Sequence, residues 1–118
     1  MIGKDSFTIT IRRDEDFEVV PIVAEVLGGS TVLFVAVDVT AKVYIPDPVL
    51  TPIGGTKVTV AAPGGQALIF EVVPGGPMEF QAVDDNRFLE YFVTREVFGG
   101  FTEAVAVPPQ MIIKKLNR

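Results

Sequence analysis

The chain has no cysteine and no histidine. The first absence removes a disulfide framework, a thiolate metal site and a cysteine nucleophile, and it leaves reducing and oxidising compartments equally open. The second removes the commonest general base and the commonest metal ligand together. Tryptophan is missing too. So are long apolar runs: the longest, Val32 to Val37, falls far short of the roughly 20 residues that a membrane-spanning helix needs. Positive charge is scarce. Lys and Arg total 10 against 15 Asp and Glu, for a formal net charge of −5, and the basic residues cluster no further than the pairs Arg12-Arg13 and Lys114-Lys115. Nucleic-acid phosphates demand clustered cations, so no nucleic-acid partner is expected. Met1-Ile2-Gly3-Lys4-Asp5 lacks a charged start followed by an apolar run. That reads as a cytoplasmic protein, or as an extracytoplasmic one if Met1 was added to a mature form.

What is present is the composition of a packed β protein. At 118 residues the chain reads as one domain, 1–118, and a domain of this size buries roughly 65% of its unfolded surface. Hydrophobic residues make up 48% and charged residues 21%, which rules out disorder. Apart from Gly3, every glycine falls in a doublet: Gly28-Gly29, Gly54-Gly55, Gly64-Gly65, Gly75-Gly76 and Gly99-Gly100. Doublets between apolar runs read as tight turns, and short strands between such turns predict a β-sandwich or barrel. Phosphate-binding glycine loops of the Walker or dinucleotide type are absent, because strand-like runs rather than helices follow the doublets.

Along the chain, Phe7, Ile9 and Ile11 alternate with Thr8, Thr10 and Arg12, the period of a half-buried strand. Asp14-Glu15-Asp16 reads as an acidic turn. Phe17 to Val26 is interrupted by Pro21, which cannot donate to a ladder and so predicts an edge strand or two short pieces. Val32 and Phe34 share one face of the next strand, and Leu33, Val35 and Val37 share the other. A strand apolar on both faces is covered on both, so it is either a central core strand or an oligomer contact. After a polar break at Asp38 to Ala41, Lys42 to Ile45 resumes the strand and Pro46-Asp47-Pro48 ends it. A loop is expected over 49–56, then strands over 57–61, 66–73 and 78–83. Over 84–98, Asp84-Asp85-Asn86 offer N-cap candidates, Phe88, Leu89, Phe92 and Val93 form a stripe at helical spacing, and Gly99 sits at a C-cap position. That pattern predicts a short amphipathic helix around 85–98. Phe101 to Val107 returns to strand before Pro108-Pro109, and the apolar tail Met111 to Leu116 is expected to dock, on its own sheet or across a subunit boundary.

This order resembles the cupredoxin family, the small Greek-key sandwiches that include plastocyanin-like blue copper proteins. The similar segments are Phe7 to Ile11, Phe17 through Val26, Gly29 to Phe34, Asp38 to Pro46, Ala62 to Phe70, Val73 to Ala82 and Gly100 to Val107. The resemblance implies an all-β, single Greek-key β-sandwich. It also implies where copper ligands would fall: the first histidine at Ala41 or Lys42, the cysteine at Ala82 or Val83, and the ligand loop at 84–98. A blue copper site needs two imidazoles and a thiolate. With neither residue type in the chain, and only Met1, Met78 and Met111 as soft ligands, no copper or other cofactor is expected. The 84–98 segment, with Phe88, Tyr91, Phe92 and Phe98, then reads as a hydrophobic plug or as a new binding element.

Remaining chemistry is thin. Asp84, Asp85, Asn86 and Glu90 match no calcium-loop spacing. Ser6 and Ser30 have no histidine to activate them, and Lys42 reads as a strand-edge lysine. A carboxylate pair drawn from Glu79, Glu90 and Glu103 would need one shared cleft. The expectation is therefore a metal-free interaction or assembly module, with a homo-oligomer or protein partner meeting Leu33, Val35 and Val37. The alternative is a small-ligand binder with a pocket lined by Tyr44, Phe88, Tyr91 and Phe92. A carboxylate-based enzyme comes third.

Overall fold

Alternation at the two-residue period of a pleated strand organises the computed structural model, which describes residues 6–53, 59–60, 67–97, 100–105 and 107–116. The first layer is a sheet in the order β2 (Phe17–Val20), β1 (Ser6–Arg13), β4 (Thr31–Val37), β9 (Met78–Ala82), β6 (Leu50–Pro52). Within it β1 and β4 run parallel and the other pairs antiparallel. The second layer carries two ladders. One orders β10 (Arg87–Glu90), β13 (Gln110–Lys114), β3 (Val23–Leu27). The other orders β12 (Gly100–Glu103), β11 (Phe92–Val97), β5 (Ala41–Ile45), β8 (Leu68–Val72), β7 (Thr59–Val60). Only Tyr91 separates β10 from β11, so the two ladders are joined along one line of chain.

The inward rows supply the core. Ile9 and Ile11 of β1, Val32 and Phe34 of β4, Phe80 of β9, Val43 of β5, Phe70 of β8 and Met111 of β13 are all buried. Each such aliphatic or aromatic side chain contributes roughly 1.5–3 kcal/mol on burial. Phe34 sits at the centre, edge-on to Phe70 (5.1 Å between ring centroids), Phe80 (5.9 Å) and Tyr91 (6.0 Å). These T-shaped contacts suit the ring quadrupoles.

Pro21 does divide its strand, and the two pieces join different layers: β2 is an edge of the first sheet and β3 an edge of the second. The Val20–Pro21 peptide is cis. The polar break after β4 turns on Asp38, whose φ of 57° is a conformation that Asp tolerates better than most residues. At the Gly28-Gly29 turn, a Cβ on Gly28 would lie 2.4 Å from Asp84 Oδ1, and Gly29 has φ 79°. This doublet is required by close approach at one residue and by handedness at the next.

Three expectations need correction. Residues 85–98 are not a helix: they form β10 and β11. Leu89, Tyr91 and Val93 face inward and are buried, while Phe88, Glu90, Phe92 and Thr94 face outward. Phe88 and Phe92 stand four apart, which fits a helical stripe as well as one face of a strand, and their β-branched and aromatic neighbours favour the strand. The expected N-cap residues bind the tail instead. Asp84 Oδ1 accepts from the Leu116 N–H (3.0 Å) and Asn86 Oδ1 from the Lys115 N–H (2.9 Å); Gly99 lies outside the described residues. Within the expected 49–56 loop, Leu50–Pro52 pairs with β9 as β6. The closing strand stops at Glu103, because Ala104 leaves the β12 ladder to bridge the layers: its N–H donates to the Val93 carbonyl (3.0 Å), and its carbonyl accepts from the Phe17 N–H (2.9 Å). The tail takes the first of the two places expected for it, on its own sheet, as β13 between β3 and β10. Of the strand expected over 57–61, only Thr59–Val60 falls among the described residues.

Candidate functional site

The outward face of the first sheet follows from its registers. Thr8, Thr10 and Arg12 of β1 lie beside Leu33, Val35 and Val37 of β4. Val20 of β2 lies beyond Thr10 and Glu18 beyond Arg12, while Glu79 of β9 lies on the other side of Leu33. Leu33 and Val35 are half-buried by these lateral neighbours, and Val37 is 44% exposed. The three residues expected to act together are thus a continuous outward row on a central strand. No strand of the described residues is layered over that row. Arg12 Nε and Glu18 Oε1 meet at 2.6 Å at its margin, an exposed pair worth little to stability.

The outward face of the second layer is aromatic. Phe92 is paired across the ladder with Tyr44, and Tyr44 with Ile69. The Tyr44 and Phe92 rings lie 5.9 Å apart at 49°, each covering part of the other. Phe88 belongs to a different row, opposite Ile112, and is 60% exposed. Tyr91 points the other way and is fully buried. Its hydroxyl finds no hydrogen-bond partner among the described residues, and burial pushes its pKa upward from 10.0. The structure therefore brings Tyr44 and Phe92 together, sets Phe88 further along the same face, and places Tyr91 in the core.

The positions that the resemblance assigned to copper do not converge. Ala41 follows the C-terminal end of β4. Ala82 lies at the N-terminal end, where its N–H donates to the Ser30 carbonyl (2.9 Å) and its carbonyl accepts from Gly29 (3.0 Å). The length of β4, about 20 Å at the usual strand rise, separates them. Two strands flank Ala41's strand: β8, with Val72 opposite Ala41, and β11, with Thr94 opposite Lys42 and the Thr94 hydroxyl donating to the Lys42 carbonyl (3.0 Å). The C-terminal ends of β11 and β8 therefore lie at Ala41's end, whereas Asp84 lies at the other, beside Gly28 and the tail. Ala41, Val93 and Ala104, buried at Ala41's end, offer no donor to a metal, and Arg95 there is drawn to Asp16 (3.4 Å). Among the described residues no three His, Cys, Asp or Glu side chains are grouped to hold a metal ion. Met111 is buried in the core, and Met1 lies outside the described residues. A copper centre does not fit this donor set.

The acids are dispersed. Glu79 faces outward from the first layer and Glu90 from the second, so the sandwich stands between them. One feature had no signal in the sequence: an open groove of about 410 Å³ between Phe17, Val20 and Ile22 on one side and Val105 and Val107 on the other, with Asp14 at its rim. The signal is missing because the groove forms only where Ala104 carries the chain across to β2. Among the described residues no helix is long and apolar enough to cross a membrane.

No protein-family model and no curated protein matches the chain. Among solved structures it is similar to amicyanin, a proline-to-glycine mutant in the reduced Cu(I) form at pH 4. The likeness has 12% identity and a TM-score of 0.57, covering 95% of this chain and 85% of that one. The chain has the cupredoxin-like Greek-key fold, without the cysteine or histidine of a blue copper site.

Proposed function

We propose that this cupredoxin-fold chain is a metal-free protein interaction or assembly module that carries no electrons. The observation that carries this reading is the outward row Leu33, Val35 and Val37 with Val20 beside it: an apolar strip on a central strand, left uncovered by the described strands. Edge positions commonly expose single valines, but a central strand apolar on both faces reads as one that is covered in its working state. A stable interface buries about 800 Å² on each partner, so Thr8 and Thr10 would join the row in the contact. The test is association measured by light scattering and sedimentation, with a Val35→Glu/Val37→Glu variant beside the parent. Self-association or partner binding by the parent, lost in the variant, is expected. A parent that stays monomeric at high concentration and shares every partner with the variant would overturn the reading.

A second reading is favoured by the groove between β2 and Val105-Val107. Its volume falls within the roughly 300–1,000 Å³ of small-molecule sites, and its walls are mostly apolar, with Asp14 and Glu18 as the charged lining residues. A small apolar ligand would sit here rather than at Tyr44, Phe88, Tyr91 and Phe92. Titration with an environment-sensitive apolar dye tests it: an emission change abolished by Ile22→Glu supports the groove, and an unaltered response in that variant removes it.

A further inference from the structure

We propose that the free edge of β3 accepts one extended segment of a partner protein, with a lysine or arginine opposite Glu25 and apolar residues opposite Val23 and Leu27. The proposal rests on the interaction-module reading but concerns a different surface. β3 is the outer strand of its ladder, bonded to β13 on one side. At its two ends the Ile22 carbonyl accepts from Gln110 (2.8 Å) and the Gly28 N–H donates to Lys114 (2.8 Å). Backbone groups alternate in direction along a strand, so the even-numbered residues between them also turn toward β13. Val23 and Glu25 turn both N–H and C=O outward, and Leu27 its N–H, with no backbone partner among the described residues; the Leu27 carbonyl already accepts from the Ser30 N–H (3.1 Å). These are also the residues whose side chains are exposed, Val23 by 41% and Leu27 by 43%. A row of unpaired backbone groups beside alternate exposed side chains is the template for strand addition.

The charge in the middle selects the occupant. On this edge only the odd-numbered residues can exchange backbone hydrogen bonds, so an added antiparallel strand is read in steps of two. A second copy of the chain at full overlap would set Glu25 against Glu25 of the other copy, a like-charge pair directly opposite, which is unfavourable. Shifting that register by two residues shortens the ladder. A foreign strand with a cation in the central position meets a carboxylate whose ion pair with Lys114 Nζ, at 3.3 Å, leaves both side chains 63% exposed. A carboxylate has lone pairs for a second cationic partner. Two residues either way, apolar side chains on the incoming strand would rest on Val23 and Leu27.

The probe is a blocked heptapeptide, Thr-Val-Thr-Lys-Thr-Val-Thr, added to the full chain and followed by amide chemical shift and hydrogen exchange. Slowed exchange at Val23, Glu25 and Leu27 is expected. The same peptide with glutamate for lysine should bind about five- to tenfold more weakly, and Glu25→Lys should reverse that order. Equal binding of the two peptides, an order unchanged in Glu25→Lys, no binding, or protection of these amides by a second copy without peptide would each overturn the proposal. Peptide-induced shifts at Leu33 to Val37 would overturn it while leaving the module reading intact. Loss of association in the Val35→Glu/Val37→Glu variant is read independently of any of these results.

Discussion

The two outward faces of the sandwich solve the same problem differently. On the second layer, Tyr44 and Phe92 come from neighbouring strands and lie ring against ring, so each removes part of the other's apolar surface from water. On the first layer, Leu33, Val35 and Val37 come from one strand, two residues apart, and their lateral neighbours are Thr8, Thr10 and Arg12. The two threonines cover Leu33 and Val35 only in part, and Arg12, paired with Glu18, leaves Val37 44% exposed. Apolar residues placed opposite each other across a ladder stabilise the monomer, while apolar residues strung along one strand leave a strip open to solvent.

The sharpest way to break that comparison is to cross β4. Phe34, on its inward row, touches three other rings; Phe34→Ala should cost about 3–5 kcal/mol in denaturant unfolding. If it costs no more than an outward substitution, the assignment of faces is wrong. Next comes Tyr91, whose buried hydroxyl lacks a partner among the described residues. Tyr91→Phe should stabilise the fold by about 1–3 kcal/mol, and no gain would point to a buried water at the hydroxyl. The same residue predicts alkaline behaviour. Its folded pKa is raised above the ordinary 10.0 by burial, so the unfolded chain loses this proton first. Its contribution to stability is whole below about pH 10 and falls as pH rises beyond it, and Tyr91→Phe should flatten that fall. A double-mutant cycle on Tyr44→Ala and Phe92→Ala should then return a coupling of about 0.5–1.5 kcal/mol. Zero coupling would make the second face as open as the first. Smallest of all, Val37→Thr should change monomer stability by no more than about 0.5 kcal/mol while weakening any association measured by sedimentation.

Much of the fold was legible in local pattern. Phe7 to Arg12 announced β1 by alternation, Pro21 announced the division into β2 and β3, and the two-faced Val32 to Val37 announced a central strand. The segment 85–98 misled because Phe88 and Phe92 satisfy both periods at once; β13, which pairs with β10 and settles the choice, lies more than twenty residues later. The copper carry-over misled for a related reason. Strands of similar grammar, Met78–Ala82 and Phe92–Val97, compete for one role, and only the ladder shows that β11 lies beside Ala41's strand. The outward row of β4 was visible as an apolar alternation, but its exposure depends on which neighbours flank it, which is a matter of register. The groove and the free edge of β3 follow from long-range hydrogen bonds that no local spacing encodes.

The place of β13 has a consequence for how the molecule is made. It is the last strand described, yet it lies between β3 and β10, pairing Gln110 with Val23. Until it arrives, the second layer is an open slot with two unsatisfied edges, and the partner waiting on one side was synthesised early. Such long-range closure is slow relative to local structure, and unpaired edges exposed in the interval invite aggregation. The slot between β3 and β10 is closed only once Gln110–Lys114 is in place.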